Sequence, residues 1–129
     1  MDLNELVNRV FALELAVKKM DYRERTVLAD AAATLDADAL VNGGLFAINA
    51  SAARILTTPT AVQIRAVMVP KPVIGDSFIV YIDNAGAFNV TLTAGGGISV
   101  GDGIVNDSMG AWMFIMDSAT TFKAWRISN

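Results

Sequence analysis

The sequence predicts a mainly β protein: a β-sandwich, jelly-roll-like, with an N-terminal α-helical arm and one short inserted helix. Two observations carry this expectation. Charge is unevenly spread, with five Lys/Arg and eight Asp/Glu in residues 1–40 but only five of each in residues 41–129. Beyond Val41 the texture changes to short apolar runs punctuated by Gly, Asn, Asp and Pro, which is how sandwiches and small barrels read. The expected division is a helical arm and connector at 1–40 and a β-sandwich body at 41–129. At 129 residues the chain has room for one core. Alternation alone leaves the strand order open between a jelly roll and a simpler sandwich.

In the arm, Leu3, Leu6, Val10, Leu13, Val17 and Met20 are spaced 3, 4, 3, 4, 3, the seam of a short coiled coil. Val7, Phe11 and Leu15 add a second apolar stripe that a two-stranded seam does not need. Both a self-associating coil and an amphipathic helix packed on the body or on a larger partner fit this pattern. "AAATLDADAL" follows, and its small residues suit a connector or a short strand. Strands are expected at 45–50, 54–57, 77–83, 88–93, 98–100, 111–117 and 121–128. Asn84-Ala85-Gly86 reads as a hairpin turn, and Gly95-Gly96-Gly97 and Gly101-Asp102-Gly103 as tight corners. The inserted helix falls at 60–69, behind an N-cap expected at Thr58 with Pro59 at the first helical position, and Pro70 and Pro72 stop it.

The faces of the strands are informative. Phe88, Val90 and Leu92 alternate with Asn89, Thr91 and Thr93, as in a sheet with one wet side. "SFIVYID" and "AWMFIMD" are apolar on both faces. A sandwich core uses only one of them, so the second is expected to meet a helix, another layer or another subunit. The composition, 53% hydrophobic and 18% charged, likewise favours burial between subunits. Tyr81, Trp112, Phe114 and Met116 are the expected subunit-interface residues. Leu3, Leu6, Val10, Leu13 and Val17 are the expected contacts of the arm.

Several chemistries are disfavoured. There is no cysteine and no histidine, so thiolate nucleophiles, Cys- or His-ligated metals and the ordinary base for a serine nucleophile are missing. A net charge of −3 with no basic run speaks against nucleic acid as a partner. No stretch approaches ~20 apolar residues, so no membrane span is expected. The start does not read as a signal peptide, which points to use without secretion. Asp36-Ala37-Asp38 and "GDGIVND" are weak metal signals that read better as turns. Neither catalytic residue, cofactor nor metal is expected. The aromatics Tyr81, Trp112, Phe122 and Trp125 fit either core and interface or a sugar-stacking platform.

One resemblance sharpens the reading. The words "TTPTAVQI", "IGDSF", "IDNAG", "VTLTAGGGI" and the closing "WRI" occur in that order over residues 55–128. Their order resembles the β modules of tailed-bacteriophage virion proteins, the head decoration (cement) and head-fibre type. Ile74 stands where valine is usual, Asp83 precedes Asn84, and 101–109 is more acidic than in that pattern. The resemblance implies a homotrimer on the capsid surface, assembled in the host cytoplasm, that bridges subunits of the major capsid protein without being an enzyme, with Leu3, Leu6, Val10, Leu13 and Val17 as capsid or arm contacts. A fibre module that recognises host surface glycan is the alternative, and an enzyme a distant third.

Overall fold

The computed structural model describes residues 2–21, 25–105 and 108–128, without the side chains of 13–21 and 128. The chain is mainly β, with two mixed sheets and few helices. Helix α1 (Leu3–Asp21) begins at Asp2, whose carboxylate accepts the Glu5 amide at 2.8 Å, and Glu5 pairs with Arg9 one turn on at 3.1 Å. The strands are β1 (Arg25–Val27), β2 (Ala33–Thr34), β3 (Leu45–Ile48), β4 (Arg54–Thr57) and β5 (Ser77–Asn84), then β6 (Val90–Thr93), β7 (Ile98–Val100), β8 (Ile104–Val105), β9 (Met109–Met116) and β10 (Phe122–Ser128). Helix α2 (Ala61–Val67) lies between β4 and β5.

The six-stranded sheet has the order β1-β3-β5-β9-β10-β7 and the four-stranded sheet the order β2-β4-β6-β8. Up to β9, every connection changes sheet. Strands β1 to β6 therefore form three successive windings, β1–β2, β3–β4 and β5–β6, each laid parallel on the one before. Among the described residues, only β9 and β10 form a hairpin within one sheet. A jelly roll is built from antiparallel pairs, whereas five of the eight ladders among the described residues are parallel.

The corners explain the winding. Three crossings in the same sense, at 28–32, 49–53 and 85–89, are five residues each, and they stack. Asp30 of the first accepts hydrogen bonds from the Ser51 amide (3.2 Å) and the Ser51 hydroxyl of the second and ion-pairs with Arg54 at 2.8 Å. Gly86 of the third abuts Ala50 of the second so closely that a Cβ there would stand 2.2 Å from the Ala50 carbonyl oxygen. "ADAA" at 29–32 and "ASAA" at 50–53 supply the small side chains this approach requires. Asn84 is buried, accepts the Gly86 amide at 3.0 Å and donates to the carbonyls of Phe88 (2.7 Å) and Val105 (3.3 Å).

Both sheets contribute to one apolar core. Phe46, Val80 and Ile82 from one face Leu56, Val90 and Leu92 from the other. The parallel ladders put Phe46 beside Ile82 and Leu56 beside Leu92, so core side chains stack from winding to winding. Leu40, in a π-helical turn at Ala39–Gly43, and Ile64 of α2 are fully buried in the same core.

Three sequence expectations change. The body begins at Arg25 rather than 41, since β1 and β2 pair with β3 and β4 and Leu35 and Leu40 join the core. Asn84-Ala85-Gly86 is a crossing between sheets, not a hairpin turn, because the Asn84 side chain spends its bonds on turning the chain inward. The N-cap of α2 is Thr60, whose hydroxyl accepts the Gln63 amide at 3.2 Å while Gln63 Oε1 accepts the Thr60 amide at 3.0 Å. Thr58 is buried instead and accepts the Gly95 amide at 2.8 Å.

Two outcomes follow. Gly86→Ala forces the stacked corners apart and is expected to lower stability by ~2 kcal/mol or more in urea denaturation; an unchanged midpoint would mean that the corners have slack. The Asp30 pKa is lowered from 3.8 to about 2, first by the Arg54 hydrogen bond and then by those from Ser51. A depressed folded-state pKa contributes stability above 3.8 that is lost as pH falls from there through about 2. Wild type should therefore lose more stability than Asp30→Asn over that interval, and equal acid slopes would show that the pair contributes nothing.

Candidate assembly face

Three of the four residues expected at a subunit interface are consumed by the chain's own core. Trp112 and Phe114 are fully buried and Met116 nearly so. The register explains it: Val80 lies opposite Trp112 and Phe78 opposite Phe114, placing this parity of β9 on the inward face. Phe78 stacks on Phe114 with ring centroids 5.1 Å apart. The Trp112 indole N–H donates to the Asp102 carbonyl at 3.0 Å, and the Arg126 guanidinium lies 4.6 Å from its ring while donating to the Ile104 carbonyl at 2.8 Å. Trp112 and Arg126 thus hold the corner before β8 against the hairpin.

The opposite parity forms the outer face of the six-stranded sheet. Met113 lies between Ile79 on β5 and Trp125 on β10, and Ile115 between Ser77 and Lys123. Tyr81, the fourth expected residue, belongs to this face, half-buried and registered with Leu45 and Ala111. Ile79, Met113 and Ile115 are half-buried, while Trp125 is 54% and Ile127 48% exposed. A largely apolar surface thus runs across three strands, with Lys123 at its margin 5.9 Å from the Trp125 ring. Sequence reasoning found the doubly apolar strands but assigned the wrong parity on β9. The signal that decides it is Phe78, whose pairing with Phe114 and Phe122 anchors the inner side.

The arm is the second apolar surface. All described side chains of α1, residues 2–12, are exposed, including Leu3, Leu6 and Val10. Leu13 and Val17 lie outside the described side chains. At ~100° per residue, Leu3, Leu6, Val7, Val10 and Phe11 cover an arc of about 140°. A third feature lies beside α2, where Arg65, Ala66, Lys71, Pro72, Val73 and Ile74 line a cleft of about 730 Å³ floored by Met116.

The acidic groups serve local turns. Asp36 accepts the Ala39 amide at 3.0 Å, Asp38 the Asn42 side chain at 2.6 Å, Asp76 the Val73 amide at 2.9 Å and Asp117 the Thr121 hydroxyl at 2.6 Å. Asp102 turns its own corner by accepting the Ile104 amide at 3.3 Å, and Asn106 and Asp107 of "GDGIVND" lie outside the described residues. Among the described residues, no group of three or more acidic side chains is placed to hold a metal ion, and no helix is long and apolar enough to cross a membrane. The chain matches no family model, no curated protein and no solved structure.

The two parities of β9 separate in mutagenesis. Phe114→Ala should cost about 3–5 kcal/mol of folding stability, as expected for a buried aromatic. Met113→Asp should leave the fold intact by circular dichroism while lowering the mass seen by light scattering. An unchanged mass would remove this face from assembly.

Proposed function

We propose that the chain is a virion structural protein: a homotrimeric decoration or cement protein that binds the outer surface of a tailed-phage head and stabilises contacts between major capsid protein subunits. The observation that carries the reading is the apolar outer face of the six-stranded sheet, which an isolated protomer leaves in contact with water. At about 25 cal/mol per Å², covering a few large side chains contributes several kcal/mol per protomer before the entropy of association is subtracted. In this reading the two sheets act as a sandwich body and α1 as its arm.

The resemblance over 55–128 adds support, because its words coincide with joints of the fold. "TTPTAVQI" contains the Thr60–Gln63 capping box, "IDNAG" the buried Asn84 and the close approach of Gly86, and "WRI" the Arg126 that braces Trp112. No catalytic residue, cofactor, nucleic acid or membrane enters the proposal. The glycan-binding alternative asks for a row of exposed rings. Trp125 lies on β10 opposite Met113, whereas Tyr81 lies two strands away and half-buried opposite Ala111, so the face does not provide that row.

Light scattering on the full chain should give three times the 13.7 kDa protomer mass. Phage heads lacking their decoration protein should bind it and melt at higher temperature. Deleting residues 1–21, which leaves β1 in place, should preserve the trimer. A monomer at micromolar concentration would refute the trimer, and a trimer that ignores heads would refute the cement role.

A further inference from the structure

We infer that helix α1 of one copy docks in the cleft beside α2 of a second copy, its apolar stripe on the cleft floor and its acidic first turn against Arg65 and Lys71. The inference deepens the proposed self-association and rests on that part of the reading, not on the capsid.

The cleft is apolar with a cationic rim. Of its apolar lining, Ala66, Val73 and Ile74 are exposed, the last two at 64% and 65%. Lys71 and Arg65 carry no ion pair among the described residues. Arg65 donates from Nη1 to the Ala119 carbonyl, but its Nε is shielded from solvent without a hydrogen-bond partner. The half-buried Arg65 and the exposed Lys71 leave positive charge at this rim, which an arriving carboxylate pairs with.

Helix α1 supplies the complement. Its apolar residues share one broad stripe, and its N-terminus carries Asp2 at the cap and Glu5, paired with Arg9, in the first turn, both exposed. The width of the stripe decides between groove and coil. In a seam built on Leu3, Leu6 and Val10, Phe11 stands at an outer position and stays wet. In a groove, the whole arc from Leu6 to Phe11 is covered, as in other helix-in-groove complexes. A volume of about 730 Å³ accommodates several large side chains. Within its own protomer, α1 leaves these residues exposed, so the cleft that takes them belongs to a neighbour.

The absence of cysteine permits a clean test. Val7→Cys and Val73→Cys, the second carrying a size tag, are mixed at micromolar concentration, oxidised mildly and resolved without reductant. The mixed disulfide, joining one chain of each variant, should dominate. A dominant disulfide between two Val7→Cys chains would show that the arms bundle together, and the absence of mixed product would show that the cleft takes no arm; either overturns the inference. So would a double variant that closes within one chain when diluted among unlabelled copies. Arg65→Glu with Lys71→Glu should reduce the mixed product several-fold and Asp2→Lys should restore it; indifference to both would exclude the acidic turn from the contact. Circular dichroism confirms folding of each exposed-site variant. Light scattering on the same samples reports whether the trimer exists, and because no phage heads are present, failure of the cement role leaves the cross-linking result untouched.

Discussion

Between residues 49–53 and 85–89 two backbones touch, with Gly86 seated on Ala50. That contact governs the rest of the fold. Paired strands lie about 4.8 Å apart, and a chain that crosses from sheet to sheet on every winding keeps that spacing only if its corners are equally thin. Ala29 to Ala32, Ala50 to Ala53 and Gly86 meet the condition with almost no side chain, and the Asp30 bonds to Ser51 and Arg54 tie two of the corners together. Held at that distance, the ladders on both sides stay in register, and Phe46 meets Ile82 while Leu56 meets Leu92. The ordered core is thus a consequence of thin corners as much as of apolar strands.

The β9–β10 hairpin is a different device laid on the same scaffold. It pairs antiparallel with β5 and widens the sheet beyond the windings. Its inner side chains complete the core through Trp112, Phe114 and Phe122, and its outer ones extend the surface that β5 began with Ile79 and Tyr81. Along its paired length each large residue on this hairpin faces either the core or the outer surface, until the register shifts between Arg126 and Ser128. Trp112 and Trp125 illustrate the division, one buried beneath a guanidinium and the other half in water.

Much of the architecture was legible in the sequence. The helix at the N-terminus, the two-faced apolar strands and the inserted helix all follow from local periodicity and punctuation, which residues such as Pro70 and Pro72 express on their own, although the cap of the inserted helix fell two residues later than expected, at Thr60. Strand β1 was not, since three residues give no period to read, and β2 lies within 31–40, which read as a connector or a short strand. The clue to them was the echo of "ADAA" in "ASAA", one corner copied in the next winding. Sheet membership was hidden for a different reason: Asn84-Ala85-Gly86 has the composition of a hairpin, and only the burial of Asn84 between Phe88 and Val105 shows that it turns the chain into the other layer. The parity of β9 was likewise a long-range matter, decided by Phe78 across the sheet. The cleft beside α2 had no local signal, being assembled from a helix, a proline-rich loop and the floor provided by Met116.

The outermost strands of both sheets are β1, β7, β2 and β8, and they run only three, three, two and two residues. An exposed strand border is a template on which foreign backbone can polymerise, and brevity is one of the ways natural proteins blunt it. A chain that is 53% hydrophobic is therefore given little opportunity to grow by main-chain pairing. What these borders leave for contact is chiefly side chains, whose shape discriminates between surfaces as a row of peptide groups does not.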